Sequence, residues 1–134
     1  MTSQSAVEET RRCLKNIEQF DSLVNAYIHV ISESALKEAE AIDHAHLQGM
    51  SSGVLGGMPI SVKDCIDVAG VPCTNGSTFF KDYVPEQDAL IVQRLRNAGA
   101  VILGKTNLHE FAYGSTTQNL SLIHISEPTR RTPI

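Results

Sequence analysis

The chain has 134 residues, of which 42% are hydrophobic and 19% charged, and its formal net charge is −4 at pH 7. This length allows at most one domain, and the acidic balance with scattered basic residues argues against direct nucleic-acid binding. No apolar run approaches the roughly 18 residues of a membrane span, and the polar start carries no signal peptide. Three cysteines at no metal-like spacing favour a reducing compartment, so we expect a cytoplasmic protein.

Amphipathic spacing predicts two helices, separated by an extended segment, in the first part of the chain. Ser5 opens a capping box, which predicts a helix at about 5–19. Residues 24–31 (VNAYIHVI) form a short extended segment. A second helix is predicted over 34–47, and it ends at Gly49.

The middle of the chain alternates loops with one short strand. Residues 51–57 are rich in Ser and Gly and predict a loop. The sequence PISVK over 59–63 predicts a short buried strand. Residues 64–85 hold many turn-forming residues and no helical period, so we expect a loop with at most a short strand.

A third helix and a second strand follow. Asp88 is predicted to cap a helix that Gly99 ends, and the fully apolar residues 100–103 predict a strand in a covered sheet. Residues 107–113 fit one or two helical turns. The alternation of helices and strands predicts an α/β fold.

The segment from Gly99 to Thr106, GAVILGKT, fits the phosphate-loop pattern G-x-x-x-x-G-K-[ST]. A phosphate loop requires a strand, then a loop that wraps the phosphates, then a helix that starts near the lysine. Here a helix precedes Gly99, and the four variable positions are strand-like. We therefore reject a nucleotide-binding module and expect the residues from Gly104 onward to lead out of the sheet.

Lys63 ends the predicted strand 59–63, and two interpretations of it stay open on physical grounds. It can be an ordinary strand-end lysine paired with Asp64 or Asp67. Alternatively, its amine is partly removed from water, which lowers the pKa of a lysine and makes the neutral amine a proton acceptor. The local pattern does not choose between them.

Four linked blocks resemble the amidase signature family. They are GGMPISVKD, which contains Lys63, followed by GVPCTNGS, DALIVQRL and GAVILGKTN, in the family's order and spacing. The similarity covers about residues 5–119. Cys65 departs from the family pattern, in which asparagine often follows the Lys-Asp pair, but this departure does not affect Lys63.

The resemblance implies a mixed β-sheet covered by helices and a Ser–cisSer–Lys triad that hydrolyses a small-molecule carboxamide to an acid and ammonia or an amine. Lys63 falls on the catalytic lysine of the family, and no cofactor or metal is expected. The family's two catalytic serines lie in a Gly-rich region downstream of this chain. We therefore expect the chain to be the N-terminal portion of an amidase domain, inactive alone.

Two activities are compatible with the resemblance. One is a stand-alone amidase, which the segment NLHEFAYG slightly favours. The other is the A subunit of a tRNA-dependent amidotransferase, and partner subunits are expected only in this second case. A non-catalytic scaffold is a further alternative. The family also implies that Phe111, Ala112, Tyr113 and Gly114 line the substrate side of the cleft, although a packed helical turn is an equally good interpretation of them.

The end of the chain breaks the family pattern. The sequence LSLIHISEPTR, from Leu120 to Arg130, resembles the translated end of a common sequencing adapter. We therefore divide the chain into an incomplete amidase portion at 1–119 and a non-biological tail at 120–134. An incomplete core would leave apolar sheet surface exposed and the isolated chain poorly stable.

Overall fold

The computed structural model of the protein describes residues 5–114. The three helices are α1 (Ala6–Val24), α2 (Ser32–Leu47) and α3 (Leu90–Asn97), the three strands are β1 (Tyr27–Val30), β2 (Pro59–Lys63) and β3 (Val101–Thr106), and two short 3-10 turns cover Thr78–Phe80 and Glu110–Ala112. The strands form one sheet in the order β1-β3-β2. Because β1 runs antiparallel and β2 parallel to β3, the predicted α/β fold with a mixed sheet is confirmed.

Helix α1 begins where predicted but continues well beyond residue 19, to Val24. Ser5 is the N-cap and accepts a hydrogen bond from the backbone N–H of Glu8, while its hydroxyl donates to Asp43 at 2.5 Å. The helix ends because Asn25 takes the left-handed conformation, with φ 50°. Val24, the last residue of α1, was wrongly assigned to the extended segment, which forms a strand only over Tyr27–Val30.

Helix α2 ends at Leu47 as predicted but starts at Ser32, two positions earlier than residue 34. It packs against the sheet through Ala35 and Ala39, which are completely buried and lie one helical turn apart. Their small side chains allow the helix to approach β3 closely.

Helix α3 does not use Asp88 as its cap. The N-cap is Ala89, which makes no side-chain capping hydrogen bond. The Asp88 carboxylate instead accepts from the backbone N–H of Ala69 at 2.8 Å and pairs with Arg96 at 2.9 Å. The prediction was wrong because these two tertiary partners occupy the carboxylate that a local cap would need.

Strand β3 is longer than the predicted 100–103, because it runs from Val101 to Thr106 and keeps pairing with β2 as far as Lys63. The expected order is confirmed, since α3 precedes Gly99 and a strand follows it. The expectation that GKT leaves the sheet was wrong, because Lys105 lies inside the strand.

Residues 64–85 are irregular, as predicted, apart from the 3-10 turn at Thr78–Phe80 and an isolated bridge between Val68 and Val71. The helical turns expected over 107–113 reduce to the 3-10 turn at Glu110–Ala112.

Two apolar clusters cover the two faces of the sheet. The first joins α1 and α2 to β3, and its buried members are Ala6, Ala35, Ala39, Val101 and Leu103. The second joins β2 and β3 to α3 and the 64–85 segment, and its buried members are Val62, Val68, Val71, Val92 and Ile102. The central strand β3 is therefore buried on both faces.

Exposed apolar side chains lie mainly on helices and loops. Large exposed examples are Leu23, Leu47, Val54, Leu90 and Tyr113, with exposed fractions of 78%, 85%, 93%, 62% and 94%. Exposed apolar surface on the sheet was expected; it is found at Val30 of β1, which is 40% exposed, but not on β3, which is covered. No helix within residues 5–114 is long and apolar enough to cross a membrane.

Candidate active site around Lys63

Lys63 is the last residue of β2, opposite Thr106 in the parallel ladder. The ladder continues for one more hydrogen bond, in which the backbone N–H of Asp64 donates to the carbonyl of Thr106 at 3.1 Å. The Lys63 side chain is exposed, whereas Val62 and Asp64 on either side of it are buried. Since side chains alternate along a strand, Lys63 points to the opposite face from its two neighbours.

Other polar side chains share the face of Lys63. Ser61 lies two residues earlier on β2 and is exposed. Its hydroxyl forms a hydrogen bond with the phenol of Tyr27, which is opposite Thr106 on the other side of β3. Ser61, Tyr27 and Thr106 therefore place hydroxyl groups on the same side of the sheet as the Lys63 amine.

Lys63 has no acidic partner within the described residues. Asp64 pairs with Lys105, and the Asp67 carboxylate accepts a hydrogen bond from the Tyr83 hydroxyl at 3.5 Å. The pairing of Lys63 with Asp64 or Asp67 is therefore wrong. The exposed amine keeps its hydrogen-bonding capacity for groups that approach this face.

A buried ion pair lies on the opposite face of the sheet from the Lys63 side chain. The Nζ of Lys105 is 3.1 Å from Oδ1 of Asp64, and both side chains are completely buried. Lys105 also donates to the carbonyl of Pro72 at 3.5 Å. No local pattern in the sequence indicates this pair, because its partners are separated by some forty residues and meet only through strand pairing.

The segment from Phe111 to Gly114 is tied to the residue after Lys63. The backbone N–H of Phe111 donates to the carbonyl of Asn75 at 2.8 Å, and the N–H of Asn75 donates to the carbonyl of Asp64 at 3.0 Å. Phe111 and Tyr113 are 57% and 94% exposed. Phe111 and Ala112 have positive φ values of 53° and 56°, which a regular helical turn does not allow.

The Phe111 ring contacts Phe80 edge to face, with ring centroids 6.1 Å apart. This contact and the backbone hydrogen bond to Asn75 hold the segment beside the end of β2.

The thiol of Cys73 belongs to the buried side of this region. Burial raises its pKa to about 11, and a hydrogen bond with Asp67 acts in the same direction, while Lys105 partly opposes the shift. Cys73 donates to the carbonyl of Asp64 at 3.4 Å. Within residues 5–114, no group of three or more His, Cys, Asp or Glu side chains is arranged to hold a metal ion.

The Amidase family model matches residues 8–133, so the chain belongs to this family. Among curated relatives, it is 46% identical over 118 residues to the A subunit of glutamyl-tRNA(Gln) amidotransferase from Nitratidesulfovibrio vulgaris (strain DP4), covering 88% of this chain and 23% of the relative. It is also 46% identical over 114 residues to the protein of the same name from Salinispora tropica, covering 85% and 23%.

Solved structures agree with this assignment. A complex described as vestigial, which reveals the evolutionary origins of an s-triazine catabolic enzyme, matches with a TM-score of 0.85 and 40% identity over 87% of this chain and 26% of that chain. The peptide amidase from Stenotrophomonas maltophilia matches with a TM-score of 0.76 and 38% identity, over 81% and 23%. The chain thus spans about a quarter of the length of its relatives.

Proposed function

We propose that this chain supplies the lysine strand of an amide hydrolase, with Lys63 as the base of a Ser–cisSer–Lys triad. The observation that carries the proposal is the contrast between two lysines on paired strands. Lys105 is buried and paired with Asp64, whereas Lys63 is exposed with no acidic partner in the described part of the chain. A carboxylate partner would hold a lysine amine in its charged form, and contact with the rest of a full-length enzyme would remove the Lys63 amine from water, which favours the neutral form that accepts a proton.

In the proposed reaction, the neutral Lys63 amine takes the proton of a bridging serine, which in turn takes the proton of the nucleophilic serine. The nucleophile attacks the amide carbonyl, and the carbonyl electron pair moves to oxygen. Collapse of this intermediate breaks the C–N bond and returns a proton to the leaving amine or ammonia. Water then hydrolyses the acyl-enzyme by the same route, releasing the acid.

The substrate is a small-molecule carboxamide in this proposal. Phe111, Ala112, Tyr113 and Gly114 would line its side of the cleft. Their support is the backbone connection from Phe111 through Asn75 to the residue that follows Lys63. Phe111→Ala in a full-length enzyme should raise KM several-fold with a smaller effect on kcat, and an unchanged KM for every accepted amide would count against this assignment.

The test of the proposed base is Lys63→Ala in a full-length enzyme that contains this segment. We expect kcat to fall by at least about 1,000-fold, since a positioned general base contributes two to four orders of magnitude. The matched control is Lys81→Ala, because Lys81 is exposed and its ion pair with Asp82 spans 3.9 Å. Hydrolysis by Lys63→Ala near the wild-type rate removes Lys63 from the mechanism.

A second candidate is the A subunit of a tRNA-dependent amidotransferase, in which the same chemistry releases ammonia from glutamine. Its support is the 46% identity to the A subunits of two glutamyl-tRNA(Gln) amidotransferases. Glutaminase activity that requires partner subunits and charged tRNA would favour this candidate. Hydrolysis of simple amides by the full-length protein alone, without partner subunits, would favour the stand-alone amidase.

We also propose that residues 120–134, which lie outside the described residues, are a non-biological tail and that the chain alone has no hydrolase activity. The support is the eleven-residue likeness of LSLIHISEPTR to translated adapter sequence. The family match itself extends to residue 133, so resequencing the source gene is the decisive observation. A natural reading frame that runs uninterrupted through this segment would refute the proposal.

A further inference from the structure

The buried pair between Lys105 and Asp64 has no role in the proposed chemistry, although burying it opposes folding. Lys105 is the largest fully buried side chain within residues 5–114, and both members of the pair have no exposed surface. Removing two charges from water costs several kcal/mol per ion, and their mutual attraction offsets this only with good geometry and further hydrogen bonds. A hydrophobic pair of similar volume would fill the same space without that penalty.

One carboxylate oxygen of Asp64, Oδ2, has the further hydrogen bonds that such a pair needs, whereas Oδ1 has only the ion pair with Lys105. Its Oδ2 accepts from the backbone N–H of Thr74 at 3.0 Å and also from the Thr74 hydroxyl. Its own backbone N–H donates to Thr106, and its carbonyl accepts from Asn75. Both the side chain and the backbone of position 64 are thus fixed, directly after Lys63.

The pair also lies directly after an irregularity in the pairing of β2 with β3, where hydrogen bonds between the strands do not by themselves specify one register. Ile60 pairs with Ile102, but Ser61 pairs with Gly104, so Leu103 is an extra residue in β3 and forms a bulge. A bulge of this kind changes which side chains of the following residues face the core. After it, Lys105 faces the same side as Val62.

Gly104, the residue after the bulge, allows a close approach of β3 to β1. Its φ is 158°, and a Cβ at this position would lie 2.2 Å from the carbonyl oxygen of His29 on β1. The close backbone approach fixes β3 against β1, and the ion pair then fixes the next residue of β3, Lys105, against the end of β2. A slip of one residue in β2 would turn Lys63 into the core and Asp64 towards solvent.

We propose that Asp64 and Lys105 are positioning residues for Lys63: their buried ion pair fixes the register after the bulge and holds the Lys63 amine on the opposite side of the sheet, where the end of β2 is exposed. Neither residue contacts the substrate, because both are buried on the opposite face of the sheet from Lys63. The inference rests on the proposed role of Lys63 as the base.

The experiment compares Lys105→Met, Asp64→Asn and the double variant in a full-length enzyme that contains this segment. Each single variant leaves one buried charge unpaired, so we expect its Tm to fall by about 5 °C or more and its kcat by about 100-fold. KM should change less than about 3-fold, because the substrate contacts are untouched. Lys81→Met with Asp82→Asn, in the exposed pair, should change none of these quantities.

The double variant separates positioning from bulk stability. With no buried charge left, its Tm should return to within about 2 °C of the wild-type value, and the amide at position 64 can still accept from Thr74. We expect kcat to stay at least about 10-fold below the wild-type value, since no ion pair then fixes the register of β2 against β3. A double variant with wild-type Tm and wild-type kcat would overturn the proposal.

Thr74→Val covers the case in which the double variant fails to fold. This near-isosteric change removes the hydroxyl that donates to Asp64 and accepts from the backbone N–H of Gly76 at 3.1 Å, and it leaves both charges in place. We expect a several-fold fall in kcat, a fall in Tm smaller than that of Lys105→Met, and little change in KM; an unchanged kcat would overturn the proposal. Lys63→Ala is measured alongside: if it stays active, the proposed base is wrong, whereas an inactive Lys63→Ala with a fully active double variant refutes only the positioning role.

Discussion

Lys63 and Lys105 lie on neighbouring parallel strands, one register position apart, and their side chains leave the sheet on opposite faces. Lys105 pairs across the ladder with Val62, and Lys63 pairs with Thr106. Lys105 is completely buried against Asp64, and Lys63 is exposed. The same sheet therefore gives two identical side chains opposite environments: Lys105 lies in a buried ion pair, and Lys63 is exposed without an acidic partner among the described residues.

This arrangement predicts that the GAVILGKT segment does not bind nucleotides. The lysine that would contact phosphates, Lys105, is buried and already paired with Asp64. Isothermal titration of the full-length protein with ATP should therefore show no saturable heat up to about 1 mM ligand. A specific affinity that Lys105→Ala abolishes, while Lys81→Ala leaves it intact, would contradict the prediction.

A second prediction concerns the three cysteines. The pKa of Cys73 is raised to about 11 by burial and by its hydrogen bond with Asp67, whereas Cys13 and Cys65 are partly exposed. At pH 8 only about one Cys73 thiol in a thousand is in the reactive thiolate form.

In the folded full-length protein, iodoacetamide at pH 8 should therefore modify Cys73 at least about 100-fold more slowly than Cys65, as measured by peptide mass spectrometry. In urea the three cysteines should react at similar rates. Equal rates for Cys65 and Cys73 in the folded protein would show that the buried position of Cys73 is wrong.

The features that the sequence predicted well are those that depend on neighbouring residues. Strand β2 was predicted over 59–63 and is observed over Pro59–Lys63, although its predicted burial was wrong, because β2 is an edge strand in which only Val62 is buried. The start of α1 was found from its N-cap, Ser5. The family assignment also followed from short local sequence blocks, one of which contains Lys63.

The features that the sequence did not predict depend on partners far away along the chain. From the sequence, Gly104 and Lys105 were expected to follow the end of the strand. In the structure they belong to the strand, because β2 pairs with them and Asp64 forms an ion pair with the buried lysine. Asp88 has the sequence position of a cap, but Arg96 and the backbone of Ala69 occupy its carboxylate. Such pairings have no periodic signal in a single sequence.

A third prediction concerns acid stability through Asp43. Partial burial alone would raise the pKa of Asp43, but hydrogen bonds from the Ser5 hydroxyl and from the backbone N–H groups of Val7 and Ala6 outweigh it and lower the pKa. A carboxyl group with a lowered pKa in the folded state stabilises the protein above its unfolded-state pKa of about 3.9, and this stabilisation is lost as pH falls through the folded-state value.

Asp43→Ala should therefore reduce the free energy of unfolding by about 1 kcal/mol above pH 5, the usual magnitude for a lost helix cap. The difference from the wild-type protein should shrink below about pH 4, where the carboxylate becomes protonated. Glu40→Ala is the control, since Glu40 is an exposed carboxylate on the same helix. A pH-independent difference, followed by urea unfolding across this range, would exclude the charged form of Asp43 as its origin.

The last prediction tests how the Ser/Gly-rich loop reaches the start of β3. Gly99 has φ +89°, and a Cβ there would lie 1.9 Å from the carbonyl oxygen of Ser52. The backbone N–H groups of Leu55 and Gly57 donate to the carbonyls of Ala98 and Gly99, both at 2.8 Å. A side chain at position 99 must therefore push away the loop that leads into the lysine strand.

Gly70 supplies a matched control, because its φ is +72° and a Cβ there would have no atom within 4 Å. Gly70→Ala introduces only the strain of the left-handed conformation, about 1–2 kcal/mol. Gly99→Ala adds the clash, so its loss of unfolding free energy should exceed that of Gly70→Ala by about 2 kcal/mol or more. Equal losses, measured by urea unfolding of the full-length variants, would mean that the loop does not contact the α3–β3 connection.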